Sequence, residues 1–193
     1  VPVHSPTEIS EIFDAISYSK GGMILRMVEH LLGKEVYRKG LNNYLKKYSY
    51  ANAEAKDLWS ALEKISGKNV GKIVDAWINK MGFPVVDVDI ERGKLKVSQR
   101  RFRYLGSDKK VIWNIPLSIV TNTGKLQDTM LEKSSATINL PAEPQWIKLN
   151  GGEFGFYRVK YSDQALDNLA PAVAFKQLSN LDRWGIHNDL AAL

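Results

Sequence analysis

In GFPVVDVDIERG, residues 82–93, the spacing of apolar residues changes from that of helices to that of strands. Gly82 and Pro84 end the helical spacing that precedes them, since glycine caps helices and proline cannot continue one. From residue 85 onward, valine and isoleucine alternate with acidic residues, the period of two typical of a half-buried strand. The Arg-Gly pair that ends the stretch predicts a hairpin turn into a second strand.

Upstream of this stretch, apolar residues recur at three-four spacing. They predict four helices, at residues 19–32, 35–48, 53–65 and 70–81. Residues 5–8, SPTE, form the pattern of a capping box, which predicts another helix beginning at Ser5. Gly21 and Gly22 lie in the first turns of a predicted helix, where each costs about 1 kcal/mol relative to alanine. We therefore expect another backbone or a ligand to approach closely there.

Downstream, about seven short strands separated by turn residues predict a small antiparallel β-sandwich rather than a parallel sheet. Helical spacing returns after Ser162. The predicted fold class is α+β and multidomain, with helices at residues 1–84, a β-sandwich at 85–161 and the beginning of a helical domain at 162–193. The expected core includes aromatic residues of both helices and strands: Trp59, Trp77, Trp113, Trp146, Phe156 and Tyr157.

Composition excludes several classes of protein. The 193 residues are 44% hydrophobic and 25% charged, which fits a globular protein with a core. The absence of cysteine excludes disulfides, thiolate metal sites and a catalytic thiol, and weakly favours a reducing compartment. No apolar run is long enough to cross a membrane. The net charge of +6 is spread along the chain, so we expect neither a nucleic-acid nor a membrane partner.

Spacing alone predicts no catalytic centre. The three histidines, His4, His30 and His187, do not pair at the spacing of metal ligands. His30 is expected to be a cation at the end of a helix, favoured by the helix dipole. The dense basic run at residues 100–103 falls on a predicted strand, which would divide it between two faces.

Several segments nevertheless resemble the aminopeptidase N family of zinc metallopeptidases, which includes the archaeal tricorn-interacting aminopeptidases. The most specific is ISYSKGG at residues 16–22, within the block that follows the zinc site in that family. Further blocks recur in family order, at residues 52–54, 57–59, 82–86, 98–102, 146–150, 155–159 and 178–183. The resemblance covers nearly the whole chain and implies the end of a thermolysin-like catalytic domain, a β-sandwich and the first part of a helical domain.

The resemblance also implies a zinc-dependent enzyme that removes N-terminal residues from peptides, in the cytoplasm. In that family a His-Glu-x-x-His helix and a later glutamate hold the zinc ion, and a Gly-x-Met-Glu-Asn segment binds the substrate's amino terminus. This sequence contains none of these motifs, which would precede Val1. We therefore expect an inactive fragment that binds no zinc itself and belongs with a missing N-terminal half. A larger protease is a further expected partner.

Tyr18 is the residue that matches the catalytic tyrosine of the family. Attack of zinc-bound water on a peptide carbonyl builds negative charge on oxygen, and a phenol can donate a hydrogen bond there. Without the resemblance, a tyrosine between helical segments is more often a half-buried packing residue. Many family members have Lys-Gly-Ala where this chain has Lys20-Gly21-Gly22, a small departure that leaves the Tyr18 assignment intact.

A second function stays open from the residues alone. The chain could be a stand-alone interaction module, in which the β-sandwich binds a partner protein and the helices form a scaffold. The two hypotheses differ in what they expect upstream. An aminopeptidase fragment requires a zinc-binding motif before Val1, whereas a module requires nothing there.

Overall fold

The computed structural model describes residues 5–9, 15–106, 111–126, 128–140 and 143–193. Within these ranges the chain is a mixture of helix and sheet, as the predicted α+β class requires. The described α-helices are α1 (Ala15–Leu32), α2 (Lys34–Lys47), α3 (Ala55–Ser66), α4 (Val70–Ile78), α5 (Asp163–Ala174) and α6 (Asn180–Ala192). None of them is both long and apolar enough to cross a membrane.

The strands lie between α4 and α5, in what we call the β region, residues 84–161. They are β1 (Pro84–Glu91), β2 (Lys94–Arg101), β3 (Ile115–Leu117), β4 (Ile119–Thr121), β5 (Gly124–Lys125), β6 (Thr129–Leu131), β7 (Ser135–Asn139), β8 (Ile147–Leu149) and β9 (Arg158–Tyr161). They form a four-stranded sheet in the order β7-β2-β1-β9, a three-stranded sheet β5-β4-β8 and the pair β3-β6.

The predicted hairpin between β1 and β2 is confirmed. Glu91 pairs with Lys94 across the turn, and both turn residues, Arg92 and Gly93, have positive φ angles, of 48° and 72°. Positive φ at both positions matches the right-handed twist of the flanking strands. In β2 the alternation predicted from sequence appears as buried Leu95 and Val97 between exposed lysines.

The prediction of an antiparallel sheet is wrong at one pair of strands. β9 runs parallel to β1, with Val86 opposite Val159. A parallel pair needs a long connection, and the chain supplies one, since β2 to β8 all lie between these two strands. The alternation of apolar and polar residues along a strand indicates which face is buried, but it does not indicate whether the neighbouring strand runs parallel or antiparallel.

One core joins helices α1–α4 to the β region, and a second, smaller cluster packs α5 and α6 against Trp146. Met27 of α1 and Trp77 of α4 belong to the same buried cluster as Val86 of β1 and Ile147 of β8. The expected aromatic core is confirmed: Trp77 and Trp113 are fully buried, Trp146 and Tyr157 are buried, and Trp59 and Phe156 pack partly buried against the cluster. The domain boundaries at 84/85 and 161/162 stay predictions.

The beginning of the described chain differs from the prediction. Pro6–Ile9 form one turn of 3₁₀-helix, in which the Glu8 amide donates to the Ser5 carbonyl rather than to its hydroxyl. A 3₁₀ turn closes through the backbone, so the capping-box prediction is wrong in the acceptor of the Glu8 amide. The Ser5 hydroxyl instead donates a 3.2 Å hydrogen bond to the Glu8 carboxylate. Residues 10–14, which the same predicted helix includes, lie outside the described residues. Helix α1 begins at Ala15, earlier than the predicted Ser19.

Candidate functional site

Tyr18 lies in the first turns of α1. Its side chain is 65% exposed. The first fully buried side chain after it is that of Ile24, followed by Met27 and Val28, so apolar packing anchors the later part of the helix. A phenol at such a position can reach a molecule outside the described chain. Its catalytic role stays a prediction.

The glycine pair after Tyr18 faces open space. Apart from the adjacent residues and the backbone of the helix itself, no heavy atom of the described chain lies within 4 Å of the Cβ position that a side chain would occupy at Gly21 or Gly22. The close approach expected from the sequence is therefore absent from the described residues. The surface formed by Tyr18, Gly21 and Gly22, which we call the open face of α1, is exposed.

Lys20 connects this part of α1 to the segment that follows α4. Its ammonium group donates a 2.8 Å hydrogen bond to the carbonyl of Lys80. Partial burial, together with the charge of Arg101, lowers the pKa of Lys20. The hydrogen bond joins residues that are 60 positions apart in sequence.

The histidines that the structure describes form no metal site. Among the described residues, no group of three or more His, Asp or Glu side chains is arranged to hold a metal ion. His30 stacks on Phe154, with ring centroids 4.0 Å apart, and its Nε2 lies 3.1 Å from Asp128. Burial and the charge of Lys125 lower its pKa, although Asp128 opposes the shift, so the structure does not favour the cationic form predicted for His30. His4 lies outside the described residues.

A buried group of charges joins the β region to α6. Lys148 of β8 is only 2% exposed and lies 2.6 Å from Glu153, while Asp182 of α6 lies 3.9 Å from the same ammonium group. Arg158 of β9 pairs at 3.1 Å with Asp189 of α6. We call these five residues the polar junction. It fixes α6 against the turn at residues 150–157.

Backbone groups complete the polar junction. Asp182 accepts a 2.7 Å hydrogen bond from the Gly152 amide, and Asp189 accepts one of 2.9 Å from the Val159 amide. Burial raises the pKa of Glu153, although Lys148 opposes the shift. It likewise raises the pKa of Asp189, opposed by the Val159 amide and Arg158. Burial therefore penalises the ionised form of both acids.

Sequence reasoning did not find the polar junction. Lys148, Arg158 and Asp182 lie in segments that carry the family resemblance, but period analysis follows apolar residues only. The buried positions of α6 are Asp182, Gly185, Ile186 and Asp189. Their spacing of three, four and seven is that of a helix face, although a single one of the four is a large apolar residue.

Together these features define a class of protein. The chain is an α+β protein with an exposed tyrosine on helix α1, and α1 packs against the β region. The described residues contain no cluster that could bind a metal ion. A lone hydrogen-bond donor is one component of a catalytic site rather than a complete set of nucleophile, base and stabilising groups.

Comparison with known proteins gives the family. Residues 1–77 match the Peptidase family M1 domain. The chain is 42% identical over 192 residues to the tricorn protease-interacting factor F2 of Thermoplasma volcanium and 44% identical over 187 residues to probable aminopeptidase 2 of Sulfurisphaera tokodaii. It is 39% identical over 204 aligned residues to the puromycin-sensitive aminopeptidase of Caenorhabditis elegans. The match over residues 1–77 and these similarities along the chain confirm the resemblance to aminopeptidases of peptidase family M1 that the sequence predicted.

These alignments cover 97–100% of the chain but only 22–23% of the three relatives. The chain thus spans less than a quarter of the length of the curated relatives it matches. The tyrosine, the β region and the polar junction all lie within the aligned part.

Proposed function

We propose that this chain is part of a zinc-dependent aminopeptidase, in which Tyr18 stabilises the transition state of peptide-bond hydrolysis. The observation that carries the proposal is the alignment of 97–100% of the chain, at about 40% identity, with proteins named as aminopeptidases. The family resemblance of residues 16–22 supports the choice of Tyr18. The stand-alone interaction module gains no specific support from the structure.

The described residues do not fit a zinc site, because they contain no suitable group of ligands. In the proposed enzyme, residues outside this sequence would bind the metal and the substrate's amino terminus. The contribution of this chain is a hydrogen-bond donor. When water attacks a peptide carbonyl, negative charge develops on the carbonyl oxygen, and a phenol aimed at that oxygen stabilises the charge where it forms.

The test uses the full-length enzyme encoded by the gene that contains this sequence. In Tyr18→Phe, kcat for an aminoacyl chromogenic substrate is expected to fall by roughly 10²- to 10³-fold, with little change in KM, because the hydrogen bond forms mainly in the transition state. Tyr50→Phe is the matched control, since Tyr50 is also exposed. An unchanged kcat in Tyr18→Phe rejects the role.

The chain alone is proposed to be inactive, because its sequence lacks the motifs that bind zinc and activate water in the family. The purified 193-residue chain, incubated with zinc and the same substrate, should show no turnover. Turnover that persists through repurification and disappears in Tyr18→Phe contradicts this proposal.

Two expectations about the whole protein are also proposals. A larger protease is a proposed partner, supported by the name of one relative, a tricorn protease-interacting factor. Co-purification of the full-length enzyme with a high-molecular-weight peptidase activity tests it, and elution of all the enzyme as a separate species contradicts it. The cytoplasmic location stays a prediction.

A further inference from the structure

We propose that Lys20 is a positioning residue, which sets the rotation of α1 so that Tyr18 faces the reacting carbonyl. The inference rests on the proposed role of Tyr18. It starts from the 2.8 Å hydrogen bond between the Lys20 ammonium group and the Lys80 carbonyl. Lys20 itself does not touch substrate in this proposal and acts through the helix.

Residues 18–23 of α1 have little apolar anchorage. Among the described side chains from residue 18 onward, Ile24 is the first that is fully buried. A helix segment without buried side chains opens more readily than a packed one. A charged donor to a backbone carbonyl is one of the stronger hydrogen bonds, so the contact of Lys20 restrains this end.

The acceptor of that hydrogen bond lies on a firmly held segment. Just before it, Trp77 is fully buried and donates a 3.1 Å hydrogen bond to the Asn114 carbonyl. Lys80 extends its own side chain to the carbonyl of Ile112. Just after it, Phe83 stacks on Phe102 with ring centroids 4.9 Å apart. Lys20 therefore ties α1 to a segment that is itself fixed on the β region.

The geometry of a helix links Lys20 to Tyr18. Successive residues are about 100° apart, so two positions differ by about 200° and face nearly opposite sides. A restraint at Lys20 thus holds Tyr18 away from α4 and toward solvent, as its 65% exposure reflects. Side-chain tips lie about 5–6 Å from the axis, so a rotation of about 10° moves them by about 1 Å. Misplacement of about 1 Å can cost roughly 10²-fold in rate.

The decisive experiment is a double-mutant cycle in the full-length, zinc-loaded enzyme. Lys20→Met is expected to lower kcat by roughly 10- to 100-fold with little change in KM. Lys20→Arg, which keeps a charged donor, should recover part of that loss. Lys34→Met is the control, because Lys34 is an exposed lysine on the neighbouring helix α2.

In the Tyr18→Phe background, Lys20→Met should have almost no further effect, because residues that act as a unit are not additive. Equal losses in both backgrounds, or an unchanged kcat in Lys20→Met, overturn the positioning role. If Lys20→Met lowered activity through general unfolding, the loss would be equal in the wild-type and Tyr18→Phe backgrounds.

Amide hydrogen exchange in the 193-residue chain tests the anchoring step independently of activity. Lys20→Met should raise exchange at residues 19–23 by roughly tenfold and leave residues 24–32 unchanged, because local opening is confined to the weakly packed end. Unchanged exchange at residues 19–23 overturns the inference about Lys20 even where Tyr18 proves catalytic. Conversely, the faster exchange together with an active Tyr18→Phe enzyme rejects the proposed function and retains the anchor.

Discussion

Replacement of Lys148 by methionine tests the energetic importance of the polar junction. The substitution removes a cation that is 2% exposed and leaves Glu153, whose side chain is 15% exposed, without its partner. It also removes the donor to the carbonyls of Leu149 and Asn150. Breaking a buried ion pair by removing one partner costs about 3–5 kcal/mol.

The structure favours the lower end of that range. The Asn150 side chain lies 3.3 Å from the second Glu153 oxygen and still donates to it. Glu153 also retains some contact with solvent. We therefore expect Lys148→Met to lower the free energy of unfolding by about 3 kcal/mol at pH 7, measured by urea denaturation of the 193-residue chain with circular dichroism.

The chain offers a matched control. Glu91 and Lys96 form a second pair, also five residues apart in sequence, with both side chains about half exposed. Lys96→Met should cost at most about 1 kcal/mol, since solvent screens exposed pairs. A difference of less than about 1 kcal/mol between the two variants refutes the importance of burial at Lys148.

Two further measurements sharpen the result. The double variant Lys148→Met/Glu153→Gln should be more stable than Lys148→Met alone, because it leaves no unpaired buried charge. Without Lys148, the burial-raised pKa of Glu153 rises further. When the pKa of an acid is higher in the folded state than in the unfolded state, the acid stabilises the folded state at pH values below its unfolded-state pKa. That stabilisation is lost as the pH rises through its folded-state pKa. The cost of Lys148→Met should therefore shrink from pH 7 toward about pH 4.5; a constant cost contradicts the reasoning.

Two other substitutions test local packing and charge. At Gly185 an added Cβ would lie 2.0 Å from the Glu153 carboxylate, whereas Gly22 has open space. In urea denaturation, Gly185→Ala should lower the free energy of unfolding by about 1–3 kcal/mol, whereas Gly22→Ala should raise it by about 0.5–1 kcal/mol. Equal effects of the two substitutions contradict the packing of α6. His30, with its lowered pKa, contributes stability above its unfolded pKa that is lost as pH falls through the folded value. Between pH 7 and 5, the free energy of unfolding should fall less in His30→Gln than in the wild type. His187→Gln is the control, because His187 is exposed. Identical pH profiles for the wild type and His30→Gln contradict the prediction.

The parts of the fold predicted from the sequence are those set by local chemistry. The change of period at residue 85 reports burial on one face, and the Arg92-Gly93 turn needs two positive φ angles, which its sequence supplies. The parallel pairing of β9 with β1 depends on where a long connection returns, and no short stretch encodes that. Leu181 and Leu190 have helical spacing, yet both are exposed in the described structure.

The candidate site was predictable only in part, for a related reason. Tyr18 was found through a sequence motif, because its exposure leaves no trace in apolar spacing. Lys20 belongs to the same motif, but its acceptor is a backbone carbonyl 60 residues away, which sequence does not reveal. The polar junction was missed because its buried charges occupy positions where period analysis expects apolar side chains.

The open face of α1 gives these observations a common physical argument. Glycine in a helix costs about 1 kcal/mol relative to alanine, and neither Gly21 nor Gly22 recovers that cost through a close contact with the described residues. The same turns carry an exposed tyrosine and a lysine that fixes the helix from the opposite side. A surface that served packing alone would bury the ring and replace the glycines by alanine. Among the described residues this surface is left uncovered, as contact with a substrate or a neighbouring domain would require, and this is compatible with the proposed role of Tyr18.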